Sequence, residues 1–204
     1  MDASAADQAN RLPKTAFELV ALAASAGGLK ALTEVLSELP AEFKAAIVVV
    51  QHLAPHHQSL MVDILSRRLV LPVRAVESGE PLCAGMVYVA PPNYHTLVNP
   101  DGTFTLTQSP LVNFVRPSAD RLFESVATSY GERAIAVILT GTGKDGAMGV
   151  QAIKQHGGLV IVQDEATAEY SGMPEAAIRT GVVDFVLLLA EIAPKLIALV
   201  HPQL

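Results

Sequence analysis

Residues 17–52 read FELVALAASAGGLKALTEVLSELPAEFKAAIVVVQH. FELVALAA is an apolar run of strand length, and AAIVVV is another. Between them GLKALTEVLSEL has helical spacing, with Leu29, Leu32, Val35, Leu36 and Leu39 on one face. Pro40 stops that helix. Neither strand alternates apolar with polar residues. Strands of that kind, joined by an amphipathic helix, belong to a parallel sheet covered on both faces.

The alternation continues outward. LMVDILSRR reads as a helix, and MVYVAPP and AIAVILT as buried strands ending at Pro or Gly clusters. AMGVQAIKQH is helical and ends at Gly157-Gly158, a good C-terminal stop. LVIVQD, PEAAIRTG, VVDFVLLL and LAEIAPKLIALV follow as strand, short helix, strand and final helix. HTLVNPDGTFTLT differs: two short runs flank Asn99-Pro100-Asp101-Gly102, a hairpin signal. The expected fold is α/β, a doubly wound and mainly parallel sheet with helices on both faces and one antiparallel β-hairpin. Residues 1–15 of the 204 are expected to be a flexible lead-in, and 16–204 a single domain.

Composition narrows the function classes. Half of the residues are hydrophobic and 17% are charged, the reverse of a disordered chain. No apolar run approaches the roughly 20 residues that span a bilayer, so no membrane insertion is expected. The N-terminus lacks the basic start and apolar middle of a secretory signal, and Cys83 is the single cysteine. A cytoplasmic location follows as an expectation. The net charge of -6 disfavours nucleic acid as a partner.

In open α/β sheets, ligands bind beyond the carboxyl ends of the strands. Ser25 follows the first strand, Gln51 and His52 the second, and Gly141-Thr142-Gly143-Lys144-Asp145-Gly146 follows AIAVILT. A serine, a histidine and an aspartate therefore share one rim, the parts of a nucleophilic triad. Ala26, Gly27 and Gly28 allow a tight turn after Ser25, and the helix N-terminus there offers N–H donors to an oxyanion. Each residue also has an ordinary reading. Ser25 could be a helix N-cap, His52 a solvated loop histidine, and Asp145 a turn or cap aspartate. His52, His56 and His57 could hold zinc, but Pro55 disfavours a helix there and no carboxylate or cysteine set accompanies them. Gly143-Lys144 resembles a phosphate-binding loop, yet Asp145 stands where Ser or Thr belongs. Cys83 and Met148 read as buried packing residues, as does Met173.

ASAGGLKAL, VVVQHLAPHH, GMVYVAPPNYH, RPSADRLFESVA, ILTGTGKDGAMG and QDEATAEYSGMPEAAI occur in that order. Together they resemble the catalytic domain of the bacterial chemotaxis protein-glutamate methylesterases, the CheB type, from about Phe17 to the last helix. The resemblance implies demethylation of glutamate methyl esters on methyl-accepting chemoreceptors, and deamidation of glutamines by the same route, without a metal or organic cofactor. It implies the catalytic roles of Ser25, His52 and Asp145. It also places an oxyanion-hole N–H at Thr142 and a histidine near the active site at His95, which reads equally as a hairpin cap. Ala23, Ala26 and Thr142 depart from the residues common in the family. The family usually carries an N-terminal receiver domain. Only the lead-in precedes the catalytic block here, so a separate regulator is one expectation and a fragment of a longer protein another. The alternatives to an esterase are a non-catalytic interaction module, which Ala26 and the missing receiver suggest, and a nucleotide-binding domain.

Overall fold

The computed structural model describes residues 17–52 and 60–201. The expected lead-in and the residues His56 and His57 lie outside them. Nine strands are described: β1 (Leu19–Ala24), β2 (Ala46–Gln51), β3 (Val73–Ala75), β4 (Val87–Val89), β5 (His95–Val98), β6 (Phe104–Thr107), β7 (Ala134–Ile138), β8 (Leu159–Gln163) and β9 (Phe185–Leu187). The α-helices are α1 (Gly28–Ser37), α2 (Met61–Ser66), α3 (Ala119–Tyr130), α4 (Ala147–Gln155), α5 (Gly172–Ile178) and α6 (Leu189–Val200).

Seven strands form one sheet in the order β3-β4-β2-β1-β7-β8-β9, every neighbouring pair parallel. β5 and β6 form a separate antiparallel hairpin, with His95 opposite Thr107 and Val98 opposite Phe104. The first described strand, β1, is in the middle of the sheet; the chain passes through β2 to the edge strand β3, comes back one place to β4, and later crosses to β7 on the other side of β1. The doubly wound sheet with its antiparallel hairpin is the fold expected from the sequence.

Both faces of the sheet are covered, which is why its strands are apolar throughout. Val20, Leu22 and Ala24 of β1 join one core with Leu32, Leu36, Ile192 and Leu196 from α1 and α6. Leu19, Ala21 and Ala23 point the other way, into a core with Leu122, Phe123, Val126 and Val150 from α3 and α4. The period of two along the strand divides its side chains between two helical layers.

Two elements go beyond those the sequence suggested. β3 is three residues at the sheet edge, too short for a periodicity to appear. α3 is twelve residues, with Ala119, Leu122, Phe123, Val126 and Ala127 buried at helical spacing. Three residues sit differently from expectation. Leu29 is exposed, because it faces an open groove rather than the core. Met148 is 62% exposed, since the face of α4 that packs inward carries Gly149, Val150 and Ile153. Cys83 is exposed in the loop before β4, where its backbone N–H donates to the Tyr88 hydroxyl at 3.0 Å and its thiol reaches the Pro81 carbonyl at 3.9 Å.

Candidate active site

β1 lies between β2 and β7, so the winding direction reverses beside it, where a crevice opens at the strand ends. Ala24 of β1 is level with Gln51 of β2. The next residues, Ser25 and His52, therefore leave adjacent strands at matched heights. The His52 N–H donates to the Ala24 carbonyl at 3.1 Å, continuing the ladder one step past the strands.

The turn carrying Ser25 is held from several sides. Its N–H donates to the Thr140 carbonyl at 3.0 Å. Its carbonyl accepts from Gln51 Nε2 at 2.7 Å and from the Gly28 N–H at 2.9 Å. The Thr140 hydroxyl donates to the Ala26 carbonyl at 3.1 Å, and Gln163 Oε1 accepts the Thr140 N–H at 2.8 Å. Ser25 is not the cap of α1. Gly27 occupies that position, at φ 75°, and no side chain caps the helix. Among the described residues, no acceptor meets the N–H groups of Ala26, Gly27 or Thr142, and the Ser25 hydroxyl has no hydrogen-bond partner.

Gly141 is a glycine for a steric reason. A Cβ there would lie 2.3 Å from Met173 Sδ and 2.8 Å from Ser25 Cβ. The thioether end of Met173 can swing away. Ser25 Cβ cannot move without carrying the hydroxyl with it. Gly141→Ala is therefore expected to lower turnover about a hundredfold, the scale of a 1 Å misplacement of a reacting group. Its overpacking cost is about 1–3 kcal/mol. Kinetics alongside a melting curve check both, and full activity at an unchanged melting temperature would contradict the close approach.

His52 Nε2 and Asp145 Oδ2 are 2.8 Å apart, with side chains 9% and 3% exposed. Asp145 precedes Gly146, the N-cap of α4, but its carboxylate serves a different helix. Oδ2 also accepts the Ala119 N–H at 2.6 Å, and Oδ1 accepts the Ser118 hydroxyl at 2.7 Å. The carboxylate thus sits on the N-terminus of α3, where the helix dipole favours negative charge. Burial alone would raise its pKa. Hydrogen bonds from His52, Ala119 and Ser118, together with the His52 charge, outweigh that and hold it below the usual carboxylate range.

The structure brings His52 and Asp145 into contact and sets Ser25 on the strand next to His52. Thr142 is exposed on the loop leading to Asp145. His95 is fully buried at the start of β5, donating from Nε2 to the Pro110 carbonyl at 3.1 Å. Burial, the largest cause, holds its pKa below the ordinary histidine value. It anchors the loop after the hairpin and is not among the residues lining the groove beside Ser25. That groove, about 750 Å³, runs from Ser25 between α1 and α2 past Leu29, Lys30, Glu34, Ile64 and Arg68.

Sequence reasoning missed the supports of this site. Ser118 caps α3, its hydroxyl accepting the Arg121 N–H, and Asp120 follows in the first turn. The signal was there: Pro-Ser-Ala-Asp before an apolar stripe is a helix start. Nothing in the sequence links that start to Asp145.

Comparison with known proteins gives the family. The model of the CheB methylesterase family matches residues 20–196. This chain belongs to the CheB methylesterase family. A Leptospira interrogans protein, provisionally named protein-glutamate methylesterase/protein-glutamine glutaminase, is 43% identical over 183 residues, 90% of this chain and 95% of that protein. A Cupriavidus pinatubonensis protein named protein-glutamate methylesterase/protein-glutamine glutaminase 1 is also 43% identical, over 89% of this chain but 53% of its own length. The crystal structure of the Thermotoga maritima CheB methylesterase catalytic domain superposes with a TM-score of 0.87 at 38% identity, covering 91% of this chain and all of that one. The chain therefore spans nearly all of the first relative and about half of the second.

Proposed function

We propose that residues 16–204 form a catalytic domain that hydrolyses γ-methyl esters of glutamate side chains in a methylated chemoreceptor or similar signalling protein, in the cytoplasm. The observation that carries the reading is the buried His52–Asp145 pair at 2.8 Å, beside a constrained serine turn on the neighbouring strand. The names of the relatives support catalysis over a non-catalytic interaction module.

In this reading Asp145 accepts a hydrogen bond from the Nε2–H of His52 and stabilises the imidazolium that forms. Nδ1 of the ring is then the base. It takes the Ser25 proton as Oγ attacks the ester carbonyl. The N–H groups of Ala26, Gly27 and Thr142, which lack other acceptors among the described residues, hold the oxyanion. His52 returns its proton to the departing methanol. Water then attacks the glutamyl-Ser25 ester with His52 again as base, releasing glutamate. A glutamine substrate follows the same route with ammonia as leaving group. Every step is proton and acyl transfer by side chains, so none needs a metal or organic cofactor. Lys30 and Arg68 in the groove favour substrate segments that carry acidic groups near the ester.

The test is methanol release from a methylated chemoreceptor, with labelling by a fluorophosphonate probe alongside. Release together with labelling at Ser25, lost in His52→Ala, is the expected result. Neither release nor labelling on a verified methylated substrate would favour the interaction module.

A further inference from the structure

Two carboxylates, not one, are buried at this site. Asp120 lies in the first turn of α3, 3% exposed. Its Oδ1 accepts the N–H groups of Gly146 at 2.9 Å and Gly149 at 2.8 Å, the cap and first turn of α4. Asp145, just before α4, reaches back to the N-terminus of α3. Each helix thus has its first N–H groups satisfied by an aspartate belonging to the other. The Asn113 amide joins the pair, donating to Asp120 Oδ2 at 2.8 Å and to Asp145 Oδ1 at 3.4 Å. Gly149 permits the closeness: a Cβ there would lie 2.6 Å from Phe123 Cβ and 3.1 Å from Asp120 Cα.

This arrangement controls where the Asp145 carboxylate stands. The backbone of Asp145 is one residue from Gly146, whose N–H Asp120 holds. Its side chain is fixed to Ser118 and Ala119, which flank Asp120 in sequence. We infer that Asp120 is a positioning residue for His52: it locks the N-termini of α3 and α4 together and so fixes the carboxylate that orients the imidazole. Burial, and the nearby Asp145 charge, push the Asp120 pKa up, against the lowering pull of the Gly149 and Gly146 N–H groups. Of the two acids, Asp145 carries the charge more readily, as orienting an imidazolium requires. Among the described residues, none of the side-chain hydrogen-bond partners of Asp120 belongs to the serine turn and Asp120 does not line the groove, so its route to His52 runs through Asp145.

The inference rests on the esterase reading for its kinetic test and stands apart from it for its spectroscopic one. Asp120→Ala is expected to lower kcat about a hundredfold and to leave KM within about twofold. In an Asp145→Asn background the same change should cost less than about threefold, because its route to His52 is already broken. A loss of full size in both backgrounds, or a folded Asp120→Ala with wild-type kcat, would overturn the inference. Asp120→Asn keeps an Oδ1 acceptor for Gly146 and Gly149 but presents an NH2 to the Asn113 amide in place of Oδ2, so it should bring kcat back to about the level of Asn113→Ala and not to that of wild type. If Asp120→Ala does not fold, Asn113→Ala decides: it breaks the link between the carboxylates and spares both helix caps, and its kcat loss should vanish beside Asp145→Asn. The second readout is the low-field proton resonance of the His52 ring N–H, assigned by its absence in His52→Ala. It should shift or broaden in Asp120→Ala and in Asn113→Ala. An unmoved resonance overturns the positioning role. No substrate enters that measurement, so a wild type that hydrolyses no ester would remove the esterase reading alone.

Discussion

Ser25→Ala is expected to lower kcat for ester hydrolysis by about a million-fold while leaving the fold intact. The two parts have separate causes. The hydroxyl is the sole atom group lost, and among the described residues it has no hydrogen-bond partner whose loss would leave a buried group unsatisfied. The bonds that shape the turn run through the backbone of residue 25: its N–H to Thr140 and its carbonyl to Gln51 and Gly28. Alanine keeps all of them. The melting temperature should therefore stay within a few degrees of wild type, the range of a change of about 0.5 kcal/mol. Activity should behave otherwise, because in the proposed mechanism nucleophile and base act as one unit, and removing either leaves the other without a function. His52→Ala should accordingly cost about as much as Ser25→Ala, and the double variant little more. The measurement is single-turnover hydrolysis of the three variants, each checked by a melting curve. A Ser25→Ala enzyme within about a hundredfold of wild type would mean a different nucleophile, since oxyanion binding alone leaves only a residual rate over water.

The parts of this site legible in sequence were those fixed by the ends of strands. FELVALAA and AAIVVV announce buried parallel strands by the absence of alternation, and their C-terminal ends locate Ser25 and His52 with no further knowledge. The hairpin was legible for a local reason, the Asn-Pro-Asp-Gly turn between two short runs. Legibility ended where a residue's role depends on a partner far along the chain. Asp145 and Ala119 are joined by a 2.6 Å bond across 26 residues, and His52 and Asp145 by one across 93. No period in the sequence encodes either. The same limit explains the misplaced side chains. Leu29 has the spacing of a core residue, but the neighbouring surface is a groove, and spacing reports which face a residue shares rather than what lies opposite. Ser25 has the composition of an N-cap, yet the left-handed Gly27 starts the helix two residues later, which frees the serine side chain from the capping role.

The supports of the site show why the sequence need not encode those contacts directly. Parallel strands place the rim, and the N-termini of α1, α3 and α4 all open toward it. Once α3 and α4 are packed through Gly149 and Phe123, their unsatisfied N–H groups lie side by side. Two aspartates in that position satisfy both helices. The remaining lone pairs of one of them are then available to a histidine at the end of β2, two strands from β7 across β1. The Asp145 carboxylate is in this sense a shared helix cap whose last acceptor site is turned toward His52.

That double use sets the consequences of Asp145→Asn, expected to lower kcat about ten-thousand-fold. The carboxylate accepts at both oxygens: His52 Nε2 and the Ala119 N–H at Oδ2, the Ser118 hydroxyl, the Asn113 amide and the Asp120 N–H at Oδ1. An asparagine must turn its NH2 toward one of these sets. Facing Oδ2's partners, it opposes the Ala119 N–H and obliges His52 to accept at Nε2. The ring proton then sits on Nδ1, the nitrogen proposed to take the Ser25 proton, and the base is lost. Facing Oδ1's partners, it keeps the tautomer but sets the amide against Asn113 and Asp120, and no charge remains to stabilise the imidazolium. Stability falls in either case, and its pH dependence identifies the cause. The folded pKa of Asp145 is depressed, so its ionised form contributes stability that is fully present above the unfolded value of about 3.9 and disappears as pH falls through the lower folded value. The melting-temperature gap between wild type and Asp145→Asn should therefore be constant near neutral pH and narrow on acidification below about pH 4. Asp120, whose pKa shifts the other way, is present in both proteins and moves closer to its ordinary value once the neighbouring charge is gone, so it does not reverse the trend. A gap that stays level into acid would show that the variant suffers from lost packing rather than lost charge, and with it the carboxylate's role as the anion behind His52 would fail.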